Sequence, residues 1–429
     1  MASATLGIVT EGLAQSTGGS TPGPIRRELF IAANPAASVS ATTYYTRPTG
    51  LDVLSAHEIM KRSDTVEICY LRYSKDNGRS WEEGEELATF GVRPGAKLRR
   101  AWRGAVLDPV HGRFIRFYNE ALLPTDNPLE GFWRWVVRYA VSEDGGMTWY
   151  LDEEVICKGA EFNAAHPLPG VKVGHNCVMI GDQACKQVFL ADGTLIVPVI
   201  VSPVGPDGHY FNPGGGYTYS DAAVLRGRWA ADGRHLEWEL SQRVVADPAL
   251  STRGMDEPSV ATLDDGRLLM LIRGSNDKKP DLPGRRWVAY SSDQGRTWTK
   301  PQYWSYADGG LFFSPAAASH LIRHSSGRLF WLGHITPHNP SGNRPRYPFV
   351  VGEVDGRTGL LVRESVRTVD DRGPHESVML QIYGTSVRED RETGELVLNL
   401  TRFSAEPVDA ADSTHNWTAS AYLCRIPVV

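Results

Sequence analysis

The chain lacks several features that would place it in a common class. It has no apolar run near the roughly 18 residues that cross a membrane as a helix, so we expect no membrane span. Its net charge of −5 leaves no basic excess for binding nucleic acid. The cysteines number five and include no CxxC pair: Cys69, Cys157, Cys177, Cys185 and Cys424. This scatter favours buried free thiols over a zinc site or a disulfide framework. We predict no metal and no cofactor.

Helical periodicity is also missing. Short apolar runs bounded by turn residues dominate, and the chain contains 43 glycines and 27 prolines. This pattern predicts an all-β fold built from many short strands. Residues 1–25 are rich in Ala, Ser, Thr and Gly and are expected to form a flexible leader. They do not resemble a secretory signal, which indicates a cytoplasmic protein, or a secreted or periplasmic one if a signal was removed.

Three copies of one motif are present, Ser-x-Asp-x-Gly-x-(Ser/Thr)-Trp. They lie at residues 74–81, 142–149 and 291–298, each after a β-prone stretch. In each copy we expect a hairpin turn in which the Asp side chain caps backbone N–H groups and the Gly adopts a positive φ. The Trp is expected to pack beneath the sheet. We call these turns the Asp boxes.

A second repeat, a Gly turn before a strong strand, lies in register with the first. Its glycines are Gly112, Gly193, Gly266, Gly327 and Gly394. Together the two repeats predict six four-stranded blades of a β-propeller within residues 26–429. The blades are expected to start near Thr42, Trp102, Gln183, Glu257, Ser314 and Tyr383. The last blade lacks an outer strand, which residues 27–33 are expected to supply, because ring closure removes exposed edges.

The Gly turns and Asp boxes are expected at one end of the ring, and we call the opposite end the top face. Loops that converge on a propeller axis form a natural pocket. Glu257 starts the inner strand of blade four and Arg273 ends the neighbouring strand, so both are predicted on the top face. Arg346 and Tyr383 are predicted there in blades five and six.

The boxes, the Glu257-Pro258 start of blade four and the strand ending at Arg273 resemble the sialidase (neuraminidase) superfamily, also called BNR or Asp-box proteins. The resemblance extends over about residues 40–429. It implies a six-bladed propeller that acts as a retaining exo-glycosidase on a terminal acidic sugar, sialic acid or a related one. Sialidases hold the substrate carboxylate with three arginines and use a tyrosine nucleophile, an assisting glutamate and an aspartate acid/base.

Position by position, the resemblance implies three catalytic residues and three carboxylate-binding arginines. The catalytic residues would be the glutamate Glu257, the nucleophile Tyr383 and the acid/base Asp64. The arginines would be Arg47, Arg273 and Arg346. Guanidinium groups suit this task because each can hold a carboxylate through two parallel hydrogen bonds. A neutral phenol suits the nucleophile because it is not repelled by an anionic substrate.

Further top-face residues are candidates for binding substrate: Arg103, Asn276 and His175. Two alternatives stay open. The top-face histidines His175, His334 and His338 are typical of a polysaccharide lyase, in which a His/Tyr pair removes the C5 proton of a uronate. The propeller could instead bind carbohydrate without turnover. In each case the expected partner is a glycan or acidic sugar, and the sequence leaves the oligomeric state open.

Overall fold

The computed structural model describes residues 23–34, 37–82, 84–405 and 418–428. Within them, antiparallel strands form six sheets that are the blades of a β-propeller. The predicted all-β fold is therefore confirmed. Residues 1–22, most of the predicted leader, lie outside the described residues.

The strands follow one another from blade to blade. β1 (Arg26–Ile31) comes first. Blade one contains β2 (Ser38–Tyr45), β3 (Val53–Met60), β4 (Ile68–Ser74) and β5 (Glu86–Leu87). Blade two contains β6 (Phe90–Arg93), β7 (Ala96–Leu107), β8 (Phe114–Leu123), β9 (Val136–Ser142) and β10 (Leu151–Glu154). Blade three contains β11 (Val178–Met179), β12 (Val188–Phe189), β13 (Leu195–Val201), β14 (Asp221–Trp229) and β15 (Leu236–Leu240).

Three further blades form the second half of the ring. Blade four contains β16 (Asp256–Thr262), β17 (Leu268–Arg273), β18 (Arg286–Ser291) and β19 (Gln302–Tyr303). Blade five contains β20 (His320–Arg323), β21 (Leu329–His334), β22 (Phe349–Val354) and β23 (Arg367–Asp370). Blade six contains β24 (Gln381–Glu389), β25 (Leu396–Phe403) and β26 (Ala421–Ile426). Two short 3-10 helices lie in loops, at Pro128–Trp133 and Arg363–Ser365.

The first strand of the chain completes the last blade. β1 pairs antiparallel with β26, so that Arg26 is opposite Arg425 and Leu29 is opposite Tyr422. The predicted closure of the ring is thus confirmed. Pairing the ends of the chain in one sheet covers the β26 edge and stabilises the circular arrangement.

The Asp boxes have the predicted turn geometry. In the third box, the Asp293 carboxylate accepts hydrogen bonds from the backbone N–H of Thr297 at 2.9 Å and from its hydroxyl at 2.6 Å. Gly295 has φ +81° and donates its N–H to the Ser291 hydroxyl at 2.8 Å. Trp298 is buried against the core between blades three and four. Glycine is required because a side chain strains this left-handed conformation.

The cores lie between neighbouring blades. The largest joins blades two and three, where Phe117, Tyr139 and Trp238 pack with ring centroids 5.2–6.3 Å apart. All five cysteines are buried free thiols, as predicted. Each blade thus presents one sheet face to each neighbour, which fixes the blade positions around the axis.

Two details of the predicted blades are wrong. The inner strand of blade one begins at Ser38 rather than near Thr42, and its hairpin therefore turns at residues 46–52. Blades two and three contain five strands rather than four. In blade three the inner strand is interrupted: β11 and β12 both pair with β13, and residues 180–187 leave the ladder between them. This interruption brings polar side chains to the axis.

Candidate active site

A distortion at the start of blade four sets the position of Glu257. Asp256 is opposite Arg273, but the register shifts before Ser259, and Glu257 between them has φ +42°. A non-glycine residue with this backbone costs conformational energy that the surrounding fold must offset. The shift turns the Glu257 carboxylate toward Arg273, whose Nη1 donates to Glu257 Oε1 at 2.5 Å.

The two predicted arginines retain unused donors at the site. The Nε atoms of Arg273 and Arg346 are buried and have no hydrogen-bond partner in the described part of the chain. Arg273 Nη2 donates to Asn343 Oδ1 at 3.2 Å, and Arg346 Nη2 donates to the carbonyl oxygen of Ala316 at 3.3 Å. Because a buried unpaired guanidinium N–H is costly, these groups are suited to an anionic ligand.

The strand that carries Tyr383 is held next to Arg346. β24 starts beside Arg346, whose carbonyl oxygen accepts the N–H of Ile382 at 3.1 Å. The Tyr383 hydroxyl donates to Asp182 Oδ2 at 2.7 Å. Asp182 lies in the interruption between β11 and β12. The carboxylate bonded to the phenol is therefore Asp182 and not Glu257, to which the resemblance assigned the assisting role.

The pKa values separate the two carboxyl groups. Burial, with the charge of Glu257 as a second cause, raises the pKa of Asp182 to about 6. Burial acts on Glu257 in the same direction, but the charge and hydrogen bond of Arg273 outweigh it, and the pKa of Glu257 is lowered. Glu257 thus stays ionised, whereas Asp182 can exchange a proton near neutral pH. Burial, and then the charge of Asp182, raises the pKa of Tyr383 well above its usual range.

A third carboxyl group, that of Glu58 in β3, connects blade one to the inner strand of blade two and to the interruption in blade three. Its oxygens accept the backbone N–H of Trp102 at 2.7 Å and the side-chain Nε2 of Gln183 at 2.6 Å. Burial raises the pKa of Glu58 to about 7, against the charge of Arg103. Arg103, a predicted binding residue, also lies close enough to lower the pKa of Asp182. Glu58 therefore positions the loop that carries Asp182.

The centre of the top face combines positive and negative groups. The guanidinium groups belong to Arg103, Arg253, Arg273, Arg286 and Arg346, and the carboxyl groups belong to Glu58, Asp182, Asp256 and Glu257. Burial, together with Arg273, lowers the pKa of Arg346 to about 10. Because burial also raises the pKa of three of the four carboxyl groups, positive charge is in excess at neutral pH, which favours an anionic ligand.

Arg47 is not part of this arrangement. The blade-one hairpin places it at the opposite end, where its Nη2 donates to the Asp144 carbonyl oxygen at 2.5 Å and its Nη1 to that of Glu143 at 3.3 Å. Both carbonyls belong to the second Asp box. The expectation that Arg47 lies on the top face is wrong, because β2 starts earlier than the sequence pattern suggested.

Asp64 and His175 lie on top-face loops but do not contact Tyr383. Asp64 is exposed, with φ +56°, and accepts a hydrogen bond from the Ser63 hydroxyl at 2.8 Å. His175 Nδ1 donates to the Gly208 carbonyl oxygen at 2.9 Å, and its ring stacks on that of His209 with centroids 4.7 Å apart. Their predicted roles remain predictions.

The amide of Asn276 is already used by the protein. Its Nδ2 donates to the carbonyl oxygens of Leu282 at 2.8 Å and Pro340 at 2.7 Å, and its Oδ1 accepts the Gly342 N–H at 2.7 Å. Both amide hydrogens are thereby satisfied. Asn276 therefore joins loops of blades four and five, and its role in binding substrate stays a prediction.

The histidines of blade five differ in exposure. His338 is exposed, whereas His334 is buried and its Nε2 donates to the Ile382 carbonyl oxygen at 3.0 Å. Burial, with the charge of Arg346, lowers the pKa of His334 to about 3. This ring is therefore neutral at physiological pH.

In the described residues, no group of three or more His, Cys, Asp or Glu side chains could hold a metal ion.

Sequence reasoning missed Asp182, Glu58 and Arg253. The start predicted for blade three at Gln183 was one signal for Asp182, since the residue before it lies at the top of an inner strand. No comparable signal marked Glu58, which lies inside a regular strand, or Arg253, which precedes blade four in a loop.

Of the described helices, none has the length and apolar character needed to cross a membrane.

Six blades, Asp-box turns and an axial cluster of arginines and carboxylates define a sialidase-like propeller. The family model described as "BNR repeat-like domain" matches residues 130–367, more than half of the chain. The protein therefore belongs to the BNR repeat-like family. No curated protein matches the chain.

Solved structures share the fold at low sequence identity. The Trypanosoma rangeli sialidase is 13% identical with a TM-score of 0.59, over 94% of this chain and 60% of that one. The intramolecular trans-sialidase of Ruminococcus gnavus is 11% identical with a TM-score of 0.56, covering 94% and 97%. The α-L-arabinanase of Penicillium chrysogenum is 16% identical with a TM-score of 0.50, covering 94% and 98%. These likenesses establish the propeller and not a substrate.

Proposed function

We propose that the protein is an exo-acting, retaining glycoside hydrolase that removes a terminal acidic sugar, sialic acid or a related one, from a glycan. The observation that carries the proposal is the hydrogen bond of Tyr383 to Asp182, 2.7 Å long, inside an arginine-lined end of the propeller axis. It pairs a nucleophile with a base, which is the arrangement that covalent catalysis requires.

The arginines supply the preference for an acidic sugar. Arg273 and Arg346 each have a buried Nε without a partner in the described residues, so a carboxylate placed between them would satisfy both. Glu257 neutralises part of the charge of Arg273 through their 2.5 Å hydrogen bond. In this role Glu257 orients the arginine instead of assisting the nucleophile.

In the first step, the Tyr383 oxygen attacks the anomeric carbon while its proton passes to Asp182. The Asp182 pKa of about 6 suits a base that works near neutrality. Water then hydrolyses the sugar–tyrosine bond, and two displacements give net retention. We propose Asp64, on the top-face loop between β3 and β4, as the acid that protonates the leaving oxygen.

Trapping the covalent sugar–tyrosine bond tests the mechanism. The structure of the T. rangeli sialidase contains 2,3-difluorosialic acid as a covalent intermediate. We would incubate the protein with difluorinated sialic, ulosonic and uronic acids and examine its peptides by mass spectrometry. The sugar is expected on Tyr383, and a label on another residue, or none, would contradict the assignment.

Turnover separates this function from the alternatives. The substrates would be aryl glycosides of sialic acid, ulosonic acids, uronic acids and rhamnose, assayed with wild type, Tyr383→Phe and the matched control Tyr118→Phe. Tyr118 also donates its hydroxyl to an aspartate, Asp152, but lies between blades one and two. Only Tyr383→Phe should lose activity. A polymer of linked uronic acids, assayed alongside, tests the lyase alternative, because β-elimination expels the sugar attached at O4 and leaves an unsaturated uronate. Formation of that product would indicate a lyase, and sugar binding without turnover would indicate a binding protein.

A further inference from the structure

Tyr217 is an exposed aromatic residue held in a fixed position beside the candidate site. It lies in the loop between β13 and β14, four residues before β14 starts, and 61% of its surface is exposed. Its ring makes no contact with another aromatic ring in the described residues. Other aromatic residues nearby are used in packing: Tyr210 stacks with Trp133 at 6.2 Å and contacts Phe132 at 5.6 Å.

The backbone around Tyr217 is fixed from two sides. Its N–H donates to Asp277 Oδ2 at 2.7 Å, and the carbonyl oxygen of Gly216 accepts from Asn212 Nδ2 at 2.7 Å. The N–H of Gly216 donates to the Thr252 carbonyl at 3.1 Å. A Cβ on Gly216 would lie 2.7 Å from Thr252 and from Arg253 Cγ, so only glycine permits this approach.

Arg253 connects this ring to the candidate site. Its guanidinium carbon lies 6.0 Å from the centre of the Tyr217 ring. On the other side, Arg253 Nη2 lies 3.5 Å from Asp256 Oδ2, one residue before Glu257. The exposed ring and the catalytic centre therefore border the same arginine, and a ligand extending from the centre past Arg253 would meet the ring.

We propose that Tyr217 and Arg253 form a second sugar subsite, in which the sugar next to the cleaved residue stacks on the Tyr217 ring. This inference rests on the proposed function and narrows its substrate class to oligosaccharides. The C–H groups on one face of a pyranose can cover an aromatic ring. Polar groups border this ring: Arg253 Nε and Nη2 donate to the Thr218 hydroxyl, and Asp277 Oδ2 accepts the Tyr217 N–H. Because hydrogen bonds hold the backbone on both sides of Tyr217, binding orders less of the loop and loses less conformational entropy.

The test compares a sialyllactose with the methyl glycoside of sialic acid, which lacks the second sugar. For Tyr217→Ala, kcat/KM with the sialyllactose should fall about tenfold, mainly through KM, because one ring face of contact is lost. The methyl glycoside should be hydrolysed at the wild-type rate. Tyr217→Phe should retain activity, since stacking does not need the hydroxyl. Phe90→Ala removes another exposed ring, 44% exposed against 61% for Tyr217, between blades one and two, and should leave kcat/KM for both substrates unchanged.

Binding is measured separately from turnover, so that the two proposals can fail independently. Saturation-transfer NMR with the wild-type protein should show contacts to the lactose protons of the sialyllactose, and Tyr217→Ala should abolish them. If neither substrate is hydrolysed but these contacts are present, the hydrolase proposal fails and the subsite stands. Equal loss for both substrates in Tyr217→Ala, or no lactose contact in the wild type, would overturn the subsite.

Discussion

The hydroxyl of Tyr383 lies 2.7 Å from a carboxylate oxygen of Asp182, although 201 positions separate the two residues in the chain. Blade six supplies the phenol and the interrupted inner strand of blade three supplies the carboxylate. The two blades lie across the axis from one another, so the pair exists only when the ring is closed. Catalysis is therefore expected to depend on the integrity of the whole propeller.

Replacing Asp182 should lower kcat/KM and also remove the rise of kcat/KM with pH on the acid side of the pH–rate profile, which we call the acid limb. Asp182→Asn is expected to lower kcat/KM by about 10²–10⁴-fold, because the tyrosine then has no base. In the wild type, kcat/KM should rise with pH through about 6, since burial and Glu257 raise the Asp182 pKa to that value and the ionised form accepts the proton. In the variant this limb should be absent from the pH–rate profile.

Asp221→Asn provides the matched control for Asp182. Burial also raises the pKa of Asp221 to about 6, but this residue pairs with Arg243 at 3.7 Å and does not contact Tyr383. Its variant should keep the acid limb. If the limb disappears in Asp221→Asn and persists in Asp182→Asn, the base has been assigned to the wrong residue.

Arg273 and Glu257 should be coupled in stability. Arg273→Met leaves a buried carboxylate without its partner and should lower the free energy of unfolding by about 3–5 kcal/mol. Adding Glu257→Gln should restore much of this loss, because the unpaired charge is gone, while activity stays low. Urea unfolding of the two single variants and the double variant gives the coupling energy. If the loss in the double variant equals the sum of the two single losses, the pair is not coupled.

The Asp boxes should affect stability and not catalysis. Asp293→Ala removes the acceptor of two Thr297 hydrogen bonds and should cost about 1–2 kcal/mol in the free energy of unfolding. Its kcat/KM should not change, because the box lies at the end opposite the site. Ser292→Ala, an exposed change in the same turn, serves as control. A large loss of activity in folded Asp293→Ala would contradict this separation.

The stabilisation by Asp293 should also depend on pH. Burial opposes ionisation, but hydrogen bonds from Thr297 outweigh it and lower the pKa of Asp293 to about 2. A lowered pKa stabilises the fold above the unfolded-state value of about 4 and loses this effect as pH falls toward 2. The difference between wild type and Asp293→Ala should therefore shrink over that interval.

Removing β1 should open the ring. A chain that starts at Ala32 lacks the partner of β26 and exposes its edge. We expect a lower urea midpoint and increased light scattering compared with a chain that starts at Pro24 and keeps β1. The deletion also removes Arg27, which binds Asp370 of blade five at 2.6 Å. Equal midpoints for the two chains would show that closure by β1 adds no stability.

The fold could be predicted from the sequence because its signals are local. Turn chemistry at Asp293 and Gly295, short apolar runs and the repeat of both along the chain depend on neighbouring residues only. Their order also indicated the closing strand and placed Glu257, Arg273, Arg346 and Tyr383 at one end. Where the local signal was weaker, as before Thr42, the strand start and hence the position of Arg47 were wrong.

The pairing of side chains was decided by tertiary structure. The sequence by itself determined the all-β blades, the Asp-box turns and the end of the ring at which Glu257, Arg273, Arg346 and Tyr383 lie. Whether Glu257 or Asp182 meets Tyr383 depends on a register shift in blade four and an interruption in blade three. Such irregularities persist because packing around the axis offsets their cost, and short-range patterns do not report that balance.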